Sequence, residues 1–370
     1  MSFSDPCHPG WSPPFCPNPN CRHHNAFGQP WPFKRIGTYR RQLAPNRIQR
    51  FLCKACRRSF STQTFSTTYW QKRPDLDARI LTKTVGCMAN RQIARDLGVA
   101  PETVNRHVAR LARTCMLYHL KMLEQIPPPT DLVIDGFESF EWSQYFPMHH
   151  HVAVGKDTDF FYLFTDSPLR RKGRMTAVQK RRRAELERIH GRPDPKAIEK
   201  DVRELLNVVL RDQPAARLYS DDHPAYRRAL RGVGAKIDHQ VTPSSAHRDR
   251  NNPLWEVNLL DLVIRHSSAN HKRETIAWSK RRQASAERLA ILLVWRNYMK
   301  GRREKVRGSP TPAMESGVMD RHLKVSELLA TRLFPGHVRM PSRWKEYYKR
   351  EVSTVTLGAV QRRHALRFAY

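Results

Sequence analysis

No apolar run in this chain approaches the roughly 20 residues needed to span a bilayer, and charged residues interrupt every candidate. The opening stretch, Met1-Ser2-Phe3-Ser4-Asp5-Pro6, has neither the basic start nor the apolar centre of a secretion signal, so a cytoplasmic setting is expected. Acids are scarce. Asp and Glu number 34 against 66 Lys and Arg in 370 residues, which leaves a net charge of +32. That balance calls for a polyanionic partner, because neutralising phosphates releases condensed counterions. A ribosome-associated or membrane-surface protein would share it, but the Trp and Tyr spread among the basic residues favour nucleic acid. Cysteine is odd in number, at seven, and four of the seven have metal-like spacing. This argues for a reducing interior and against a disulfide framework.

Those four are Cys16 and Cys21, then Cys53 and Cys56, separated by a β-like stretch from Phe33 to Phe51. Two close pairs of thiolates flanking such a stretch match a Cys₄ zinc ribbon, in which soft ligands close a tetrahedral site. Residues 1–72 hold too few apolar side chains for a self-sufficient core, so the metal would supply folding energy. Cys7, Cys87 and Cys115 read as small hydrophobes, and His8, His23 and His24 are spare ligands to a set already complete.

Residues 73–124 read as helices. One runs from Asp75 to Lys83 and a second from Asn90 to Leu97; after a Gly98 turn, a third starts at Pro101 and continues to about Arg113. Gly after one helix and Pro at the first position of the next are the expected punctuation. Val104, Val108 and Leu111 form an apolar stripe, while Thr103, Arg106, Arg110 and Arg113 line another face with Asn105 beside them. This is the pattern of a helix-turn-helix, whose second helix enters the major groove; a structural helical hairpin with a solvated basic face would look the same. On the first reading Thr103, Asn105 and Arg106 reach base edges, and Arg110 and Arg113 touch phosphate.

Gln125-Ile126-Pro127-Pro128-Pro129 is a stiff linker, and beyond it the periodicity changes to strands near 131–137, 149–155 and 159–165. Successive strand residues face opposite ways, so His149, His150 and His151 cannot converge on one metal. A basic helical segment near 168–200 reads equally as a solvated face or as an arm for the DNA backbone. Leu218-Tyr219-Ser220-Asp221-Asp222-His223-Pro224 then repeats the shape of Leu132-Val133-Ile134-Asp135-Gly136, an apolar strand that ends in a carboxylate. Strand ends are where α/β folds place their chemistry. Asp222 points the other way and reads as a turn or helix-start acid. In so basic a chain, Asp135 and Asp221 suit Mg²⁺ ions working on a phosphodiester, with the basic remainder holding double-stranded DNA. The element order β-β-β-α-β-α-β-α is that of the ribonuclease-H-like fold. The whole is therefore expected to be multidomain α+β: zinc ribbon at 1–72, helix-turn-helix at 73–124, mixed α/β catalytic domain at 130–300 with a basic helical insertion, and a basic extension at 301–370.

Several ordered motifs resemble the transposases of the insertion sequence one family. They are Gln49 to Phe60 around Cys53-Lys54-Ala55-Cys56, Val85-Gly86-Cys87, Gly98-Val99 to His107, Ser220 to Tyr226, and Arg273-Glu274-Thr275-Ile276-Ala277-Trp278-Ser279-Lys280. The resemblance covers about residues 14–300. It implies DNA transposition at inverted-repeat ends by hydrolysis and strand transfer, with a structural zinc and catalytic Mg²⁺ (Mn²⁺ as a substitute), acting as a homodimer or larger on the nucleoid.

Such chemistry needs a third acid from a helix that crosses near the two strands. Glu256 follows Asp221 after 34 intervening residues, close to the common spacing. Alignment on Arg265 instead puts the family's Glu at Asn258, a departure from its pattern. Asn258, Asp261 and Arg265 share one helical face, from which Leu259, Leu260, Val263 and Ile264 mostly turn away. Asp261 is slightly preferred to Glu256, Asn258 is a possible neutral ligand, and Glu274 reads as an ion-pair partner. Two other functions fit the same residues: a DNA-binding regulator that has lost catalysis, and a nuclease without strand transfer.

Overall fold

The computed structural model describes residues 11–272, 275–330 and 332–359. The chain is mixed α+β, with two sheets and eleven α-helices among those residues. Cys7, His8 and Glu274 lie outside the described residues.

The first sheet is a small antiparallel one of β1 (Phe33–Arg40), β2 (Arg47–Cys53) and β3 (Ser59–Ser61). Its aromatic core of Trp11, Phe15, Trp31, Phe51, Phe60 and Phe65 includes Phe334 from far along the chain. Three helices follow: α1 (Asp77–Val85), α2 (Asn90–Leu97) and α3 (Pro101–Leu123). Gly98 closes α2 with φ +63, the left-handed conformation glycine adopts without strain, and Pro101 opens α3. No breaker lies between Arg113 and Pro127, so α3 runs ten residues beyond its expected end, and this extension is largely buried.

The second sheet has the order β6-β5-β4-β7-β8. Strands β4 (Asp131–Phe140), β5 (Pro147–Gly155) and β6 (Phe161–Pro168) form an antiparallel meander. β7 (Ala215–Asp221) joins β4 in parallel on the other side, and β8 (Lys236–Thr242) joins β7, also in parallel. Between β6 and β7 come α4 (Ala177–His190), none of whose residues is buried, and α5 (Ala197–Val209), which packs on the sheet through Val202, Leu205, Leu206 and Val209. Short α6 (Pro224–Ala229) follows β7, and α7 (Trp255–Ser267) follows β8. The last helix begins two residues later than Pro253 suggested.

Helix α8 (Arg282–Val294) is buried along its whole length against α3. Two of its three charged residues meet an opposite charge, while Arg288 donates to Asn270, Asn90 and the Thr84 and Met88 carbonyls. Arg282 pairs with Asp166, which also accepts from the Tyr347 hydroxyl, and Glu287 accepts from Arg350 at 2.8 Å. After α9 (Pro312–Glu315) and α10 (Val325–Ala330), α11 (Ser342–Lys349) buries Trp344 and donates its indole N–H to the Phe164 carbonyl at 2.8 Å. Of the C-terminal extension, the described stretch from Ala313 to Val352 therefore contributes to the core. One continuous apolar cluster extends from Leu76 to Val352. No helix among the described residues is long and apolar enough to cross a membrane.

Candidate metal centres and nucleic-acid surfaces

The cysteine set comes from the loop before β1 and the turn after β2, which the β1–β2 hairpin brings together. Cys16 Sγ and Cys56 Sγ are 3.7 Å apart, Cys21 Sγ and Cys53 Sγ 3.8 Å, and the four ligand atoms all lie within 4.8 Å of one another. Disulfides would need about 2.05 Å. A tetrahedron with metal–sulfur bonds of about 2.3 Å has edges near 3.8 Å, so the set fits zinc. Burial pushes the Cys16 thiol up, whereas backbone and neighbouring donors outweigh burial at Cys56 and bring it down to about 7. A cation is what makes four such thiolates compatible. His24 Nδ1 instead hydrogen-bonds the Cys16 carbonyl at 2.8 Å, and His23 stacks near Trp31.

The second cluster lies where β4 and β7 run in parallel. Their pairing matches Asp131 with Arg217, Leu132 with Leu218 and Val133 with Tyr219 and ends there; continued in the same register, it brings Asp135 level with Asp221. Positions two apart share a face. The ion pair between Arg217 and Asp131, at 3.3 Å, lies on that same face one step from Tyr219. Gly136 lets the neighbouring strand approach, since a Cβ there would run into the His149 ring and the His150 carbonyl. Asp221 is oriented by the turn that follows, its Oδ1 accepting from the His223 amide at 3.0 Å.

Helix α7 crosses this face and buries Val257, Leu260 and Ile264 against β4 and β5. Asp261 sits beside Val257 and Ile264 around the helix, at the edge of the sheet-facing stripe. Burial is the main reason the Asp135 carboxyl is raised to about 7, and repulsion from Asp261 and Asp221 adds to it. All three carboxylates also bear on Tyr226 of α6, a fully buried phenol that burial holds well above its usual range. Glu256 is elsewhere. It accepts from Lys156 Nζ at 2.8 Å, and Lys156 also lies over the Tyr219 ring. The pairing partner lies 100 residues earlier, beyond the reach of any local pattern. Asp222 leaves the face too, accepting from Ser244 in a turn. The acids form a looser group than the cysteines: among the described residues, only the Cys set has all its ligand atoms within 4.8 Å.

Oxygen donors with mutual repulsion on a half-buried surface fit a hard divalent cation, for which open, water-sharing coordination is normal. Arg248, whose charge lowers the Asp135 carboxyl, was not singled out from the sequence, and Tyr226 was noted only as the end of a motif, without a role at the site. Tyr226 had a legible signal, since it lies five residues after Asp221 on a helix opened by Pro224.

Among the histidines, His149 and His151 share a face, with Nδ1 atoms 3.0 Å apart, while His150 turns to Ser285 at 2.9 Å. The triplet does not converge, as strand geometry requires. In the helical pair, Asn105 and Arg106 are exposed and Thr103 half-buried near the start of α3. Asn105 Oδ1 accepts from Asn90 Nδ2 at 2.7 Å, and Arg106 pairs with Glu102 at 3.4 Å. Arg110 and Arg113 are not available as an outer phosphate-binding face. Arg113 is 7% exposed, and Arg110 donates Nε to the Thr67 carbonyl at 3.0 Å and also donates to the Tyr69 carbonyl. Their side of α3 is covered by the 66–71 segment and the C-terminal residues. Around α4, Lys172, Arg174, Lys180, Arg181 and Arg182 are exposed, and Glu187 holds the base of the arm by pairing with Arg170 and Arg192 at 2.7 and 2.9 Å. Lys172 is near enough to bear on His223, beside Asp221.

No protein-family model and no curated protein matches this chain. Among solved structures, a chain in the cryo-electron microscopy structure of a simian T-cell lymphotropic virus intasome with the PP2A regulatory subunit B56 gamma is similar to it. The match has 12% identity and a TM-score of 0.24, and it covers 54% of this chain and 58% of that one. The chain thus spans a little over half the length of that neighbour.

Proposed function

We propose that the protein is a DNA transposase that binds the terminal repeats of a mobile element and catalyses strand cleavage and strand transfer. The observation that carries this reading is the level pair Asp135 and Asp221 on parallel strands, with Asp261 brought to them by α7. The meander followed by two parallel strands is the order of a ribonuclease-H-like domain, and the motifs quoted above give the insertion sequence one family as the family resemblance. Zinc would be held by Cys16, Cys21, Cys53 and Cys56, and magnesium by Asp135, Asp221 and Asp261.

When bound, two such magnesium ions supply charge neutralisation on the attacking and departing oxygens of an in-line displacement. The chain's own residues do the rest. The His223 amide fixes Asp221, and Glu256, neutralised by Lys156, leaves Asp261 as the helix-borne acid. In cleavage, water oxygen bonds to phosphorus, the P–O3′ bond breaks, and the leaving oxygen takes up a proton to become the 3′-hydroxyl of the element end. In transfer that hydroxyl attacks a target phosphodiester and displaces another 3′-oxygen. Thr103, Asn105 and Arg106 suit base edges, and the exposed residues of α4 suit the backbone. Holding two ends together calls for a dimer or larger.

The half-buried Asn258, where the family pattern has Glu, favours a second reading as a DNA-binding regulator without catalysis. Labelled element-end DNA, incubated with Mg²⁺ and either wild type or Asp221→Asn, separates them. Nicked and joined products in wild type alone support the transposase. Binding without cleavage in both supports the regulator, and nicking without joining supports a nuclease.

A further inference from the structure

Strand β4 does not stop at Asp135. It runs on to Phe140, roughly 17 Å further at about 3.3 Å per residue, and turns through residues 141–146 into β5. The turn is held from inside. Glu141, its one acid, is buried; its amide donates to the Phe146 carbonyl at 3.0 Å and its carboxylate accepts from Thr354 Oγ1 at 2.7 Å. What the turn presents outward is aromatic. Trp142 is 46% exposed and has φ +56, a left-handed conformation that a bulky residue keeps only where its surroundings impose it. The loop after α7 lies against the same hairpin, with the Trp278 ring 5.4 Å from that of Phe140 and Lys280 Nζ 3.3 Å over Trp278. From the segment before α4, Arg171 lies over the Tyr145 ring at 4.8 Å. Its neighbour Lys172 bears on His223, beside Asp221, so one basic segment joins the turn to the acidic face. Exposed aromatics scattered singly are ordinary, whereas rings interleaved with cations on one rigid turn suit bases and backbone together.

We propose that the 140–146 turn is a stacking surface for unpaired nucleotides of a DNA strand that passes the Asp135 and Asp221 face, with Trp142 as the ring on which a base stacks. The inference rests on the reading of the protein as one that acts on DNA, and it adds that bases a few nucleotides from the reacting phosphate are held out of the duplex. Trp142 is the most exposed of the four rings, while Trp278 and Tyr145 carry the cations that meet phosphates. Every base has a π-face, so the surface reads no sequence. The inward anchoring of Glu141 leaves little ordering to be lost on binding. A second copy of the chain could cover Trp142 and the exposed Ile276, but Lys280 and Arg171 complement a polyanion rather than another surface of so basic a protein.

The test uses the full zinc-loaded chain without Mg²⁺. Fluorescence anisotropy compares a labelled oligothymidylate of about twelve nucleotides with an abasic oligomer of the same length and charge, in enough salt to screen attraction for the backbone alone. Wild type should bind the base-bearing strand about tenfold more tightly than the abasic one. Trp142→Ala should lose most of that preference and keep its affinity for the abasic strand, and Trp142→Phe should restore the preference. If Trp142→Ala does not fold, photocrosslinking of a 5-bromodeoxyuridine strand to wild type carries the test. An adduct on Trp142 or Tyr145 is expected, and adducts confined to other regions overturn the proposal. So does a wild type that does not distinguish the two strands, or a preference undiminished in folded Trp142→Ala. Self-association that Trp142→Ala abolishes, with no preference for bases, assigns the surface to a second copy instead. Neither measurement requires cleavage or the element's sequence, so the result stands apart from success or failure of the cleavage assay.

Discussion

Asp135 and Asp221 stand level with one another on adjacent parallel strands, on a single face of the sheet, with Asp261 of α7 close enough to repel Asp135. Such a cluster opposes folding until a cation fills it. Asp221→Asn should therefore raise the melting temperature of the metal-free protein, while Mg²⁺ should raise that of wild type and leave the variant nearly unchanged. A calorimetric melt with and without Mg²⁺ checks both signs.

Asp261→Asn should lower Mg²⁺-dependent cleavage by more than about a hundredfold, beyond what loss of an outer-shell partner costs. Glu256→Gln should keep cleavage within a few-fold of wild type yet lower stability, because Lys156 loses its partner in a largely covered site. The reverse ranking in a cleavage assay would make Glu256 the third acid.

Cys53→Ser should release the zinc and unfold the ribbon, since the first sheet has little apolar core besides its aromatics. Zinc content measured by atomic absorption should fall from one per chain to near zero. One equivalent surviving in the variant would sink the Cys₄ assignment.

Arg106→Ala should weaken binding to element ends by about 1–3 kcal/mol, with less effect on random DNA and none on the melting temperature. Arg113→Ala should do the opposite and destabilise the fold, because Arg113 is enclosed. Fluorescence anisotropy alongside thermal melts separates the two outcomes.

The buried Asp166 is held well below the usual carboxylate range; Arg282 overcomes the opposing effect of burial. A depressed folded-state value means the pair's contribution is fully present above the unfolded value of about 3.9 and fades as pH falls below it. Asp166→Asn should make melting temperature less dependent on pH between roughly 4 and 2 than in wild type. An unchanged slope would place the acid sensitivity elsewhere.

Local signals carried much of the architecture. Cysteine spacing marked the ribbon, Gly98 and Pro101 punctuated the helical pair, and two apolar runs each reaching an acid marked Asp135 and Asp221, although only Asp221 ends its strand and β4 continues past Asp135 to Phe140. What escaped depended on partners distant in the chain. Arg110 and Arg113 have the spacing of an exposed basic stripe, and only the arrival of Tyr69, Arg332 and Tyr348 turns that face inward. Likewise the slight preference for Asp261 over Glu256 rested on helical facing alone, and the Lys156 partner that engages Glu256 lies far away in the chain. The C-terminal aromatics had no local pattern to interpret, because Trp344 and Tyr347 fit pockets made by β6 and α8.

Phe334 completes the aromatic core around Phe15, and His337 stacks on His24. The ribbon is therefore synthesised well before the segment that completes its packing. Its cysteines can take zinc as soon as they emerge, but its hydrophobic seal waits for Phe334, 278 residues after Cys56. Truncation or stalling before Phe334 would leave the N-terminal aromatics open to chaperones and to aggregation, even with every zinc ligand in place.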